Sequence, residues 1–266
     1  MKRLIFRIIK RFILYFMKIL STERQTMYLG TEYGGWHFIK PKYNSKLNIF
    51  SAGVGEDVSF DIELLNNFNA DIYFVDPTPR ALEHMENVVS NLGNTNSREY
   101  NNTSGKQPIE AYNLKNILKN QIKIIDKALF NKHGLKVKFF LPKNKKHVSH
   151  SISNFQNNFS NSTDHIFVET TTLEKIINEF NVDYLHVLKL DIEGAEIEVL
   201  NKMLSNRIFP DQILVEFDEL NTNSLNSYMK IFFVVIRLIL NNYKSVNIND
   251  YPNYLFVNKK LFKSLK

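Results

Sequence analysis

The residues best suited to chemistry sit in one string, Lys189-Leu190-Asp191-Ile192-Glu193-Gly194-Ala195-Glu196. In extended backbone, alternation puts Lys189, Asp191 and Glu193 on one face and Leu188, Leu190 and Ile192 on the other. Charged groups on a central strand are costly to bury unless they stand at its open end, beside a ligand. Gly194 lets the chain turn, and Glu196 then falls in the first turn of a helix, where the dipole favours an anion. A carboxylate at such a strand end can take a proton from an attacking hydroxyl. Asp191 is the first candidate for that base, with Glu193 and Glu216 (the end of LVEF) behind it. The competing reading is a salt-bridged strand end with a helix cap. Asp191, Glu193, Glu216 and Asp218 would also supply oxygen ligands for a magnesium-like ion if they converge, so a divalent metal stays open. His147 and His150 are further base candidates, although a loop histidine is more often simply solvated, and His186 reads as structural.

A second constellation lies upstream. The stretch Ala52-Gly53-Val54-Gly55-Glu56-Asp57 follows an apolar run and precedes a helical pattern. That is a ligand loop at the carboxyl edge of a sheet, with Gly53 and Gly55 letting backbone amides approach a nucleoside. The dinucleotide fingerprint needs a third glycine where Val58 stands, which disfavours a pyrophosphate turn. About twenty residues on, in Val75-Asp76-Pro77, an acid ends the next strand and can accept both ribose hydroxyls of an adenosine. Glycine loop plus acid fits S-adenosylmethionine, which has a ribose and no phosphate. Alone, the glycines could be a tight turn and Asp76 a helix cap.

Elements that would position these groups alternate past residue 45, the pattern of a parallel α/β sheet. Strands are expected at 46–53, 71–77, 122–130, 184–192 and 212–217, with an antiparallel pair 246–248 and 253–258 closing the chain. Helices are expected at 58–68 (capped by Asp57), 79–92, 173–180 (capped at Thr171-Thr172), 194–205 and near 224–241. His133-Gly134 predicts a hairpin into 137–142. Polar residues 93–107 read as an exposed insertion and 143–165 as a long loop.

Taken together, LKLDIEGAEIEVL, SAGVGEDVSFDIE with VDPTPRAL, the IDKALFNKHG hairpin and TTLEKII resemble the FkbM-type family of S-adenosylmethionine-dependent methyltransferases, over about residues 46–258. The resemblance implies a class I methyltransferase fold: a Rossmann-like, doubly wound α/β sheet, mostly parallel with a C-terminal antiparallel strand. It implies methyl transfer, most often to a hydroxyl, with a sugar or glycan acceptor favoured over lipid, peptide or small-metabolite acceptors. Ser51, Gly53, Gly55, Glu56, Asp57, Asp76, Pro77, Lys127, Ala128 and Asp191 are the positions it assigns to the cofactor. Ser51 stands where the family commonly has an acid, and Glu56-Asp57 replaces a family glycine, so one of those acids is expected to meet the cofactor's amino group. Leu29 to Trp36 resembles an upstream element of one branch, closing over the cofactor.

Composition sets the outer limits. The chain has 266 residues, 44% hydrophobic and 23% charged, enough for one large α/β domain. It has no cysteine, which excludes disulfides, cysteine-ligated zinc, Fe–S clusters and thiol nucleophiles. The net charge is +7, but the first twenty positions hold six basic residues and no acid, leaving 28 basic against 27 acidic side chains. A near-neutral body gives no reason to expect nucleic acid as a partner. Residues 1–20 read as a basic amphipathic helix, 21–45 as a lead-in and 46–266 as the catalytic domain. That helix either lies on an anionic membrane surface, packs on its own domain or a second subunit, or, least favoured, spans a bilayer. A cytoplasmic protein, peripheral on the membrane in the first case, is expected. Two rival functions remain: a Rossmann NAD-dependent oxidoreductase, and a membrane-docked binding protein that keeps the fold without turnover.

Overall fold

The structure is a computed structural model describing residues 2–41, 45–142, 149–157, 160, 162–221 and 224–264. In chain order it runs α1 (Lys2–Ile19), β1 (Ser21–Thr22), β2 (Met27–Leu29), β3 (Trp36–Phe38), β4 (Leu47–Ala52), α2 (Ser59–Asn67), β5 (Ala70–Val75) and α3 (Pro79–Ser90). There follow β6 (Ile122–Ile125), β7 (Ala128–Leu129), β8 (Lys136–Phe140), β9 (His165–Thr171), α4 (Leu173–Glu179), β10 (Val187–Leu190), α5 (Glu196–Ser205) and β11 (Gln212–Glu216). The chain ends with α6 (Leu225–Leu240), β12 (Tyr243–Val246), β13 (Asn253–Asn258) and α7 (Lys259–Ser264).

Eight strands form one sheet in the order β1-β12-β13-β11-β10-β4-β5-β6. Only β13 runs antiparallel to its neighbours. The order reverses between β4 and β10, which are paired in parallel through Ile49–Val187 and Ala52–Leu190. Beyond the carboxyl ends of two such strands a crevice opens, because the following helices depart to opposite faces.

The sequence dictates two cores. Along β4, Phe50 and Ala52 join one apolar cluster while Leu47 and Ile49 join the other. All four residues of β10 are buried, which explains an apolar run broken only by Lys189. Helices α4, α5 and α6 cover the first face; α2, α3 and α7 cover the second.

Several local expectations shift. The strand expected over 122–130 is broken: Ile122–Ile125 stays in the large sheet, and Ala128–Leu129 pairs with β9 in a separate three-stranded sheet. The hairpin expected at His133-Gly134 is not closed on 122–130; β8 pairs instead with β9, Lys136 opposite Glu169. The end of the expected 143–165 loop and the six residues after it are therefore strand, with residues 143–148 outside the described set. The short lead-in strand β1 pairs in parallel with β12, Ser21 opposite Ser245.

Helix α1 packs on its own domain. Ile13 and Met17 are 3% exposed and belong to the first core, and Phe16 meets Phe232 of α6 at 5.4 Å between ring centroids. Among the described residues no helix is long and apolar enough to cross a membrane.

Candidate active site

A cavity of about 640 Å³ opens where the strand order reverses. That volume suits a small-molecule site. Its floor is the turn after β4. Gly53 has φ +73° and a Cβ there would overlap the Asp191 carbonyl oxygen, so only glycine fits between the two strand ends. Gly55 has φ +60° and faces open space, leaving the loop backbone accessible to a ligand.

Asp76, at the end of β5, holds this loop in shape. Its Oδ2 accepts from the backbone N–H of Val54 (2.9 Å) and Gly55 (3.1 Å). Its Oδ1 accepts from the Thr78 N–H (2.9 Å) and hydroxyl (2.7 Å). A carboxylate has about four lone-pair sites, so a ribose hydroxyl bonding here must share or exchange one. Pro77 and Ala128 line the same wall, with Leu129 beside them.

The two acids after the loop both line the cavity and both have partners from other segments. Glu56 lines the cavity but is ion-paired to Arg80 and to Lys106 (3.1 Å). Asp57 accepts from Ser59 N–H (2.9 Å), opening α2, and its other oxygen takes the Thr31 hydroxyl (2.7 Å) and the Gln107 amide (3.1 Å). Both carboxylates also tie segments together. Ser51 is fully buried beneath the loop and off the cavity wall, near Asp61. Lys127 is also off the wall, paired with Glu169 at 2.8 Å.

The opposite wall is acidic. Asp191, Glu193 and Glu216 all line the cavity, from the adjacent strand ends of β10 and β11. Burial pushes the Asp191 carboxyl up, against the pull of Lys189, and Asp76 raises it further. Glu216 is pushed up to about 8, first by burial and then by the charges of Asp191 and Glu193. Glu193 has φ +58°, a strained conformation for a residue with a Cβ, and its carbonyl accepts the Ser151 hydroxyl. Asp218 is buried behind this wall, and among the described residues no three acid or histidine side chains converge to share one ion. Glu196 is fully buried and accepts from Ile192 N–H (2.8 Å) and Gly194 N–H (2.9 Å), so it ties down the β10–α5 turn from behind.

Lys189 sits beneath both walls. Its ammonium donates to the Gly53 carbonyl (3.1 Å) and stands 5.4 Å from the Trp36 ring centre. Buried Asp61, raised to about 6 by desolvation, feels this lysine as its main stabilising charge.

Two flanking segments complete the cavity. Tyr33, Gly34 and Trp36 line it, held by the Thr31–Asp57 bond and by Gly30 N–H donating to Glu63 (2.8 Å). Burial raises the Tyr33 phenol, and Asp191, Glu193 and Glu216 add to it. Residues 93–99 are exposed, as an insertion should be, but Thr103 to Lys106 turn back onto the cavity. Gln107 anchors them: its amide donates to Asp57, Asn101 and Ser104, and its oxygen accepts from Asn101 N–H. No polar insertion pattern reveals that return; one buried glutamine does. His150 lines the cavity, stacked on Phe139, whereas His147 lies outside the described residues. His186 accepts from Asn48 N–H (3.0 Å), a structural role.

The glycine floor, the Asp76 corner and the apolar Ala128–Leu129 wall match the needs of a nucleoside with an amino-acid tail, and the acidic wall suits its cationic centre. Neither the curated proteins nor the solved structures include a significant match to this chain. The family model of the methyltransferase FkbM domain, however, matches residues 28–245, covering the floor, both acidic strand ends and the Tyr33–Trp36 segment. The chain therefore belongs to the FkbM methyltransferase family, with a class I methyltransferase-like α/β fold and S-adenosylmethionine as the methyl donor its family implies.

Proposed function

We propose that the protein methylates a hydroxyl, on a sugar or other glycan, and that Asp191 is the base, with Glu216 and Glu193 shaping its field. The observation that carries this reading is that Asp191, Glu193 and Glu216 line the same cavity as the glycine loop. S-adenosylmethionine, when bound, supplies a methyl group on a positively charged sulfur. The chain would hold it with the Gly53–Gly55 backbone, the Asp76 corner and the Ala128 side. Asp191 would take the acceptor hydroxyl's proton; a base with a raised pKa is a stronger proton acceptor near neutral pH. Tyr33 and the 103–106 segment would screen the reacting groups from water, and positioning would contribute much of the acceleration.

The test is release of S-adenosylhomocysteine from S-adenosylmethionine with a panel of sugar, glycan, amine and carboxylate acceptors. Hydroxyl acceptors should turn over in the full chain and fail in Asp191→Asn. Turnover confined to amines or carboxylates would reject the hydroxyl assignment.

A further inference from the structure

We infer that α1 and α6 together form one face that docks on an anionic lipid bilayer, with α1 remaining packed on the domain. This goes beyond the methyl-transfer reading and does not depend on it.

Three observations carry it. Docking of α1 through Ile13, Met17 and Phe16 uses only one side of the helix. On the outer side Ile8, Phe12, Tyr15 and Ile19 are each about 60% exposed, and their spacing of four, three and four residues makes one stripe. Secondly, this apolar surface continues onto α6. Rings run in contact from exposed Phe12 to Phe16 (6.3 Å), to Phe232 (5.4 Å) and to exposed Phe233 (5.8 Å). Leu240, 76% exposed, lies two turns further along α6. Thirdly, the exposed side is basic. Arg7, Arg11 and Lys18 of α1 and Lys230 and Arg237 of α6 are exposed, and neither helix carries an Asp or Glu.

Exposed aromatic and aliphatic side chains set among cations, on two helices that carry no acid, suit the headgroup boundary of an anionic leaflet. A second copy of this chain on the same face would bring these five exposed cations against five. Charge complementarity thus selects the bilayer.

The experiment is co-sedimentation of the full chain with phosphatidylcholine vesicles, with and without phosphatidylglycerol, at about 0.1 M and 1 M salt, where the screening length falls from roughly 10 Å to 3 Å. Binding should require phosphatidylglycerol and fall at high salt. Lys230→Gln should weaken it about fivefold, the worth of one basic residue near such a surface. Phe12→Ser and Phe233→Ser should each weaken it several-fold, while leaving S-adenosylhomocysteine binding, read from Trp36 fluorescence in the same samples, unchanged. All three substitutions are at exposed positions, and an unchanged melting temperature would verify their folding. Equal binding to neutral vesicles would overturn the proposal. So would wild-type binding by both Phe233→Ser and Lys230→Gln, since α6 would then lie outside the face. Absence of vesicle binding, with a dimer in light scattering that Phe12→Ser dissociates, would overturn it in favour of an interface between copies. Loss of cofactor binding with vesicle binding intact would count against the methyl-transfer site alone.

Discussion

Asp191, Glu193 and Glu216 are crowded into one wall, and the charge of Lys189 opposes the upward shift of Asp191 and Glu216. Such an arrangement costs stability, which is the pattern expected of a functional site. Because the Glu216 pKa is raised in the fold, its contribution is fully present below the unfolded value near 4.5. It is lost as pH rises through about 8. Melting temperature should therefore decline between about pH 5 and pH 9, and Glu216→Gln should flatten part of that decline; an identical slope in the variant would remove Glu216 as its source. Asp191→Asn should lower turnover by roughly 10²–10⁴, the usual range for a general base, while S-adenosylhomocysteine affinity changes only a few-fold. Equal losses in both would make Asp191 a binding group. For the acids after the glycine loop, the local pattern gives position but not partners. Glu56 and Asp57 stand at the expected positions, yet their partners Arg80, Lys106, Thr31 and Gln107 come from segments far away in sequence. No local pattern states that an acid is already occupied.

Strands and helices were legible where burial enforces a pattern. β10 and β11 are mostly apolar (Lys189 apart, and Gln212 and Glu216 at the ends of β11) because both faces of the sheet are covered, and α6 carries a helical repeat because it packs on one side. β9 escaped because it belongs to a small, half-exposed sheet whose outward residues, such as Phe167, are not reliably polar. The 93–107 stretch was readable as exposed and unreadable as a cavity wall, since the return depends on one buried residue. Gln107→Ala should strand the bonds it makes to Asp57, Asn101 and Ser104, each worth about 1–3 kcal/mol if left unsatisfied. The expected outcome is faster amide exchange over 101–106 and weaker S-adenosylhomocysteine binding. Unaltered exchange would show that the Lys106–Glu56 pair holds the segment without it.

Across the protein, the reversal of strand order places the floor from β4 beside the acids from β10 and β11, and the lead-in segment closes the cavity from the side. The amphipathic character of residues 1–20 was visible in the sequence, but the partner for its apolar side was not, because periodicity cannot say what a face meets. The packing of Ile13 and Met17 now predicts that a chain starting at Ser21 melts lower or aggregates. Removing two such side chains forfeits roughly 1.5–3 kcal/mol each and bares their partners on α6. A truncated chain melting like the full one would mean that α1 contributes no core.

We propose that this cavity takes the adenosyl part of the methyl donor through the Asp76 corner. Trp36 is the chain's single tryptophan and lines the cavity, so titration with S-adenosylhomocysteine can be followed by its fluorescence and by calorimetry. Saturable binding is predicted for the full chain, with NADH inert. Asp76→Ala should weaken it by about 1.5–3 kcal/mol, the range for hydrogen bonds to a charged group. Saturable binding of NADH in place of S-adenosylhomocysteine, or unchanged S-adenosylhomocysteine affinity in a folded Asp76→Ala protein, would contradict the claim.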